Sequence, residues 1–130
     1  MSRKTAYDVS LPKGESLYER DEICPIIYAL DIIGGKWKLP ILWHLADQEA
    51  VRYNELKRGV TGITNMMLTK CLRELEENGL VVRVQYPEVP PRVEYSLTER
   101  GRELLPALNK LNVWGKEQIK YIRARGEESN

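Results

Sequence analysis

The chain has few of the side chains on which metal and nucleophilic chemistry depend. Its 130 residues include one histidine, His44, and two cysteines, Cys24 and Cys71, which lie far apart in the sequence. One histidine and two scattered thiols do not make the close ligand cluster of a zinc site, and no serine or cysteine stands beside an evident base. Two cysteines also give no disulfide framework, which favours a reducing cytoplasm. The composition therefore predicts no metal, no cofactor and no enzyme activity.

Long apolar runs are missing as well. No stretch approaches the roughly 20 apolar residues that a helix needs to cross a bilayer, and the most apolar one, residues 25–33, is interrupted by Asp31. The first eight residues, MSRKTAYD, lack the apolar core of a signal peptide. With 42% hydrophobic and 30% charged residues, the chain has the composition of a soluble globular protein. We expect one domain, a cytoplasmic location and no membrane partner.

The net charge of +1 hides an uneven distribution. Residues 52–73 carry five basic side chains and one acidic one, a local charge of +4, and residues 74–77 then carry three carboxylates. Neutralisation of phosphates depends on nearby charges rather than on the total. A short basic stripe in a nearly neutral protein therefore indicates a selective reader of nucleic acid rather than a general binder of polyanions.

Helical periodicity and helix-end signals divide the first 80 residues into a polar arm and a series of helices. Pro25 suits the first position of a helix, because its missing N–H has no intrahelical partner there, and Gly34-Gly35 stops that helix. The predicted segments are an arm over 1–22, a short strand at 51–52, and helices over 25–33, 36–46, 55–58 with Asn54 as N-cap, and 63–78.

Alternation with a period of two follows the last of these helices. Residues 83–86 and 92–97 alternate as strands do, and the loop between them holds three prolines, which stiffen it. Thr98 is a good N-cap for a final helix over 99–123. Two helices joined by the turn at 59–62 are a helix-turn-helix candidate, and a hairpin directly after them makes it a winged one.

Three runs of the sequence also resemble one protein family, in the same order and register. They are CPIIYALDIIGGKWKLPILWHL, RYNELKRGVTGITNMMLTKCLRELEENGLV and YPEVPPRVEYSLTERGREL. All three resemble the HxlR-type winged-helix transcriptional regulators, bacterial relatives of the MarR class, and the resemblance covers about residues 23 to 115.

The resemblance implies an α+β fold that is mainly α: a winged helix-turn-helix domain with a two-stranded wing and N- and C-terminal dimerisation elements. It divides the chain into the arm at 1–22, the winged helix-turn-helix domain with its C-terminal dimerisation helix at 23–125, and a tail at 126–130. It also implies a homodimer whose predicted helix 63–78 enters the major groove of DNA.

Carried over by position, the resemblance puts five side chains of that helix at or near base edges and Arg73 nearer the DNA backbone. Asparagine can pair with adenine through two hydrogen bonds, and lysine can reach guanine or phosphate. Met66 stands where the family often has lysine or another polar residue, and its thioether can pack on a thymine methyl. Tyr53 replaces a common phenylalanine, a change that looks structurally mild. The five side chains are Thr64, Asn65, Met66, Thr69 and Lys70.

Three further basic residues, Lys36, Arg52 and Arg92, are candidates for DNA contact. Lys36 lies near a helix start, where free N–H groups help to bind phosphate, although a solvated lysine is the simpler interpretation. Arg52 belongs to the basic stripe. Arg92, in the wing, either touches phosphate or the minor groove, or instead forms salt bridges with Glu88 or Glu94.

The two cysteines have different predicted roles. Cys24 occupies an N-cap position, where the helix dipole favours a reactive thiolate, although Asp21 and Glu22 act in the opposite direction. Several members of the family are controlled by oxidants or electrophiles through a cysteine at the corresponding place, so Cys24 is a candidate sensor. The alternative is a small residue at a helix start with no sensing role. Cys71 falls on the apolar face of its helix and is expected in the core.

The final predicted helix is longer than a compact core of this size requires. Its apolar side chains predict a dimer interface formed with the first helix and the arm. The alternative is that the helix folds back on its own core. The predicted interface residues are Leu104, Leu108, Leu111, Trp114, Ile119 and Ile122.

These features together predict a sequence-specific, DNA-binding transcriptional regulator, and repression is the expected outcome. It would bind an inverted-repeat operator in double-stranded DNA as a homodimer, and an electrophile, an oxidant or another small molecule would control it. The alternative is a winged-helix module for protein–protein contact without DNA binding.

Overall fold

Helices and short strands alternate along residues 24–129, the part of the chain that the computed structural model describes. The arm predicted over 1–22 lies outside the described residues. The fold is mainly helical with one small antiparallel sheet, so the predicted winged helix-turn-helix architecture is confirmed. The elements are α1 Pro25–Ile33, α2 Lys38–Ala46, β1 Val51–Arg52, α3 Tyr53–Gly59, α4 Asn65–Glu77, β2 Val81–Tyr86, β3 Arg92–Leu97, α5 Glu99–Arg102 and α6 Leu105–Ser129.

The first two helices are separated by the glycine pair Gly34-Gly35, which also shifts the start of the second helix along the chain. Pro25 is the first residue of α1, and Gly34 ends it by donating its N–H to the carbonyl of Leu30. Gly35 has a φ of 87°, a left-handed conformation that favours glycine. A helix cannot begin until the backbone leaves this left-handed conformation. Helix α2 therefore begins at Lys38, and the predicted start at residue 36 is wrong.

The two helices of the helix-turn-helix begin at residues that differ from the prediction. The N-cap of α3 is Arg52, whose N–H donates to Glu55 Oε1 at 3.2 Å, so Asn54 is not the N-cap. Helix α4 begins at Asn65, two residues after its predicted start, because the hydroxyl oxygen of Thr64 accepts the N–H of Met67 at 3.1 Å. Ile63 is instead buried in the turn.

The predicted final helix over 99–123 is two helices. Thr98 caps α5 as expected, with its hydroxyl oxygen accepting the N–H of Gly101, but α5 ends at Arg102 and α6 begins at Leu105. Pro106 explains the break, since it has no N–H for the carbonyl of Arg102 and its ring would crowd that carbonyl in a continuous helix. Helix α6 then extends to Ser129, so most of the predicted tail at 126–130 is helical.

The wing is a hairpin of β2 and β3 that the short strand β1 extends into a three-stranded sheet. Strand β3 is central, and both of its neighbours run antiparallel to it. Tyr95 pairs with Val51 on one side and with Arg83 on the other. Strand β2 begins at Val81, two residues before its predicted start, because Val81 lies in the core opposite Leu97.

One apolar core joins the sheet to the helix-turn-helix. Helix α2 supplies its centre, since α2 contacts α3, α4, β3 and α6. The predicted apolar face of α4 is confirmed: four of its side chains are buried and Met67 is partly buried. Burial of this face fixes which side of α4 remains exposed. The largest fully buried side chains are Ile41, Leu42, Leu45, Leu56, Ile63, Leu68, Leu72, Leu75 and Val81.

A partly buried lysine ties three helices together beside this core. Lys38 Nζ, at the start of α2, donates to the carbonyl oxygen of Ile32 near the end of α1 at 3.2 Å. The same Nζ lies 3.0 Å from Glu74 Oε2 on α4, and the Lys38 side chain is only 12% exposed. This hydrogen bond holds the pKa of Glu74 below its ordinary value of 4.5.

Replacing Glu74 with glutamine is expected to destabilise the protein at pH 7 by about 0.5–1 kcal/mol, as for a partly exposed ion pair. Because the folded-state pKa of Glu74 is lowered, this stabilisation is present above pH 4.5 and is lost as the pH falls through the lower, folded-state value. The difference between wild type and Glu74→Gln should therefore shrink in acid. Urea unfolding at a series of pH values measures it.

The matched control is Glu76→Gln, which removes the same charge from an exposed position of the same helix. Glu76 forms no ion pair with any residue in the described range 24–129. Equal stability of the two variants at pH 7 would show that the Lys38–Glu74 pair contributes nothing.

Candidate nucleic-acid interface

The turn between α3 and α4 holds α4 in a defined direction. Val60 and Ile63 are buried, and the Ile63 N–H donates to the carbonyl of Val60 at 3.2 Å. Gly62 has a φ of 90°, which the turn requires and which disfavours any other residue. Two buried side chains on either side of a left-handed glycine therefore anchor the start of α4 to the core.

The outer face of α4 presents a mixed set of hydrogen-bonding, apolar and basic groups. Met66 is 83% exposed, an unusual position for a large apolar side chain. Neither Lys70 nor Arg73 forms an ion pair with a residue of the described part of the chain. This face can donate to base edges, contact a methyl group and neutralise phosphates. Its exposed members are Asn65, Met66, Thr69, Lys70 and Arg73, which are the predicted residues.

Thr64 is placed differently from the other predicted contacts. It precedes α4 and uses its hydroxyl oxygen to cap the helix through the Met67 N–H. The hydroxyl hydrogen is still available to a ligand. Contact between Thr64 and DNA stays a prediction, and the structure gives this residue a capping role in addition.

Tyr53 reaches from α3 to the outer face of α4, a contact that no pattern in the sequence predicts. Its hydroxyl lies 3.0 Å from the carbonyl oxygen of Asn65, 3.2 Å from Asn65 Oδ1 and 3.1 Å from Thr69 Oγ1. A phenylalanine at this position would make none of these contacts, so the change is more than structurally mild. The only hint in the sequence is a hydroxyl-bearing ring at a site where the family often has phenylalanine.

The two lysines near the start of α2 have different surroundings. Lys36 is exposed, and its Nζ lies 4.7 Å from the centre of the Trp37 ring. Trp37 in turn lies beside the turn of the helix-turn-helix, since a Cβ added to Gly62 would be 3.7 Å from its ring. Lys36 is therefore close to that turn and remains a candidate for phosphate contact. Lys38, by contrast, already forms an ion pair with Glu74 and a hydrogen bond with the carbonyl oxygen of Ile32.

Arg92 is held within the wing by its neighbours. Its guanidinium lies 3.0 Å from Glu88 Oε1, 3.3 Å from Glu94 Oε2 and 4.0 Å from the centre of the Tyr86 ring. Only 28% of its side chain is exposed, and it is the first residue of β3 rather than part of the loop. The structure therefore shows the salt bridges of the alternative interpretation. Arg52, the other basic candidate near this sheet, is exposed.

The cysteines occupy the places predicted for them. Cys24 is exposed at the N-cap position of α1, and its side chain makes no capping hydrogen bond. Cys71 is buried on the inner face of α4, and burial raises the pKa of its thiol. A protonated, buried thiol reacts slowly. Cys24 is therefore the accessible thiol of the two.

The single histidine and the carboxylates form no metal site in the described region. His44 packs its ring against Gly59, where an added Cβ would come within 2.7 Å of the imidazole. Across residues 24–129, no three histidine, cysteine or acidic residues are close enough together to hold a metal ion. None of the helices in that range has the length and apolar character required to span a bilayer.

The predicted dimer residues of α5–α6 fall into two groups. Leu108 is 6% exposed and belongs to the core, and Leu104 packs against that core. The positions of these two residues agree with the alternative interpretation, in which the helix folds back on its own domain. The other four are between 51% and 62% exposed in the described structure. They are Leu111, Trp114, Ile119 and Ile122.

Comparison with known proteins agrees with this geometry. A sequence model of the HxlR-like helix-turn-helix family matches residues 32–123. The chain is 47% identical over 115 residues to YybR, an HTH-type transcriptional regulator of Bacillus subtilis, covering 86% of this chain and 91% of that one.

Two solved structures of regulators in their reduced forms are also similar. The chain is 44% identical to the redox regulator HypR in its reduced form, with a TM-score of 0.73, covering 78% of this chain and 99% of HypR. Similarity to the reduced form of the transcriptional regulator YodB of B. subtilis is lower, at 32% identity and a TM-score of 0.63, covering 73% of this chain and 93% of YodB.

Proposed function

We propose, from the premise that this chain belongs to the HxlR-like helix-turn-helix family of DNA-binding transcriptional regulators, that it is a homodimeric repressor under thiol control. The observation that carries the proposal is the outer face of α4, which is exposed, basic and free of internal ion pairs within the described residues. Its inner face is buried, so the polar face is presented rigidly. DNA as the target also supports a cytoplasmic location.

In the proposed complex, α4 lies in the major groove, and different side chains of α4 contact the bases and the DNA backbone. Asn65, Met66 and Thr69 face base edges, where an amide, a methyl-sized apolar group and a hydroxyl can distinguish bases. Lys70 reaches guanine or phosphate, and Arg73 lies nearer the backbone. Arg92 supports the wing rather than reading sequence, because its guanidinium is already paired with two carboxylates.

A homodimer would place two copies of α4 in successive major grooves, about 34–36 Å apart, on an inverted-repeat operator. Bound there, the protein would block polymerase, which is the repression we propose. Each phosphate neutralised makes the affinity more sensitive to salt. A signal that changes the separation of the two helices would misplace one half-site and release the DNA.

Replacing Lys70 with alanine is expected to weaken binding to the operator by about 5- to 150-fold, the range for loss of a base contact. Fluorescence anisotropy with the DNA upstream of the protein's own gene, at two salt concentrations, measures this. Lys110→Ala removes the same charge from an exposed position on α6 and should leave the affinity unchanged. Arg92→Ala should change sequence preference, measured as the ratio of operator to random-DNA affinity, by a smaller factor than the factor by which Lys70→Ala lowers operator affinity.

Two outcomes would contradict the proposal in different ways. If Lys70→Ala keeps full operator affinity, the register assigned to α4 is wrong. If the wild-type protein binds no DNA better than a random duplex, the winged-helix protein-interaction module is the better description.

The exposed apolar side chains at the end of α6 support the dimer. Trp114, Ile119 and Ile122 lie beyond the part of α6 that packs on the core, and together they form an apolar surface at helical spacing. Exposed apolar clusters of this kind mark interfaces. Helix α1 offers Ile26 at 71% exposure as a further apolar contact.

Replacing Ile122 with aspartate is expected to convert the dimer into a monomer, because it buries a charge in the proposed interface. Sedimentation velocity measures the change in mass. Val113→Asp is the matched control, since Val113 is equally apolar and 58% exposed but lies on the opposite side of α6. A mass that is the same for wild type and Ile122→Asp would exclude this surface as the interface.

Thiol control rests on the exposure of Cys24 and on the similar structures. HypR is described in oxidised and reduced forms, and YodB after treatment with diamide. In the present chain, Cys24 is the N-cap residue of α1, which Lys38 connects to α4. Modification of Cys24 would therefore act on a helix that is linked to the DNA-reading one.

Replacing Cys24 with serine is expected to abolish the loss of operator binding that diamide causes in the wild type. Cys71→Ser is the control, because the buried Cys71 thiol should not react and that variant should respond normally. Operator binding before and after diamide, and again after reduction, measures the response. An undiminished response in Cys24→Ser would assign the sensing to another group.

A further inference from the structure

The hydroxyl of Tyr53 lies at the centre of a polar cluster on the DNA-facing side of α4. Its three neighbours are the Asn65 carbonyl oxygen at 3.0 Å, Asn65 Oδ1 at 3.2 Å and Thr69 Oγ1 at 3.1 Å. Asn65 and Thr69 are one turn apart and share a face of the helix. Both belong to the exposed set that faces the proposed DNA. The cluster therefore joins α3 to two of the side chains on the reading face.

The number of donors and acceptors makes the cluster self-consistent. A tyrosine hydroxyl has one hydrogen and accepts up to two hydrogen bonds. Its hydrogen points to the oxygens of Asn65, which are acceptors, while the Thr69 hydroxyl can donate to the tyrosine oxygen. Without this partner, Thr69 would tend to bond the carbonyl four residues earlier in its own helix, which is that of Asn65. Tyr53 thus competes with that local bond and limits the rotamers of both side chains.

We propose that Tyr53 is a positioning residue: its hydroxyl holds Asn65 and Thr69 in their DNA-reading conformations before DNA arrives, without itself touching a base. The inference rests on the proposed DNA-binding function and adds a determinant of its sequence preference. The physical reason is preorganisation, because side chains that are already ordered lose less entropy when they bind. It also assigns a role to the hydroxyl that distinguishes this chain from a phenylalanine at the same position.

The test compares wild type with Tyr53→Phe, which keeps the ring and removes the hydroxyl. Operator affinity is expected to fall by about 3- to 10-fold, within the range for ordering one side chain. Affinity for random DNA and the melting temperature should stay the same. Tyr121→Phe removes a hydroxyl from an exposed ring on α6 and should change none of the three quantities.

A second comparison separates positioning from general structural support. In a background that already carries Asn65→Ala and Thr69→Ala, the further change Tyr53→Phe should reduce operator affinity much less than it does in the wild type, since only the contact with the backbone carbonyl oxygen of residue 65 remains there. If the loss is the same in both backgrounds, or if Tyr53→Phe weakens random-DNA binding and lowers the melting temperature together, the positioning role is excluded.

A measurement on the free protein keeps this inference distinct from the DNA-binding proposal. Side-chain NMR couplings should report a single χ1 rotamer for Asn65 in the wild type and an average over rotamers in Tyr53→Phe. Averaging in the wild type would overturn the positioning role whether or not the protein binds DNA. If Asn65 has a single rotamer but the protein binds no DNA specifically, the proposed DNA-binding function is wrong and the positioning of Asn65 by Tyr53 still holds.

Discussion

Burial of one face of α4 is the constraint on which the rest of the structure depends. Leu68, Leu72 and Leu75 are almost fully buried, so α4 cannot rotate about its axis without exposing them. Burying a leucine side chain contributes about 1.5–3 kcal/mol, far more than any single polar contact on the outer face. The apolar face therefore decides which residues α4 exposes, and the polar contacts refine that arrangement.

Three polar contacts then fix α4 along its length. Thr64 caps its first turn, Tyr53 holds Asn65 and Thr69 from the side, and Lys38 pairs with Glu74 near its other end. Lys38 also donates to the carbonyl oxygen of Ile32 near the end of α1, the helix whose N-cap is Cys24. A change at α1 therefore has a direct route to α4 through one partly buried ammonium group, which is the geometry that thiol control would use.

Much of this site was predictable because it depends on local periodicity. The apolar spacing of α4 identified its buried face, and the remaining positions followed as exposed. The errors lie at element ends, where one local signal competes with another: Asn54 is a good N-cap, but the chain caps α3 with Arg52 and Glu55. The final helix was predicted to be continuous over 99–123, but Pro106 is tolerated only in a first helical turn, and the structure places it near the start of α6.

By itself the sequence determined the family, through the three runs that resemble HxlR-type regulators. Spacing along the chain also determined the order of the winged helix-turn-helix elements and the face of α4 that is exposed. Only the tertiary structure decided how side chains from different elements meet. Tyr53 joins α3 to α4, Lys38 joins three helices, and Arg92 turns to Glu88 and Glu94 within the wing. Such contacts depend on the distances and directions that packing creates between elements, and no periodic pattern in the chain encodes them.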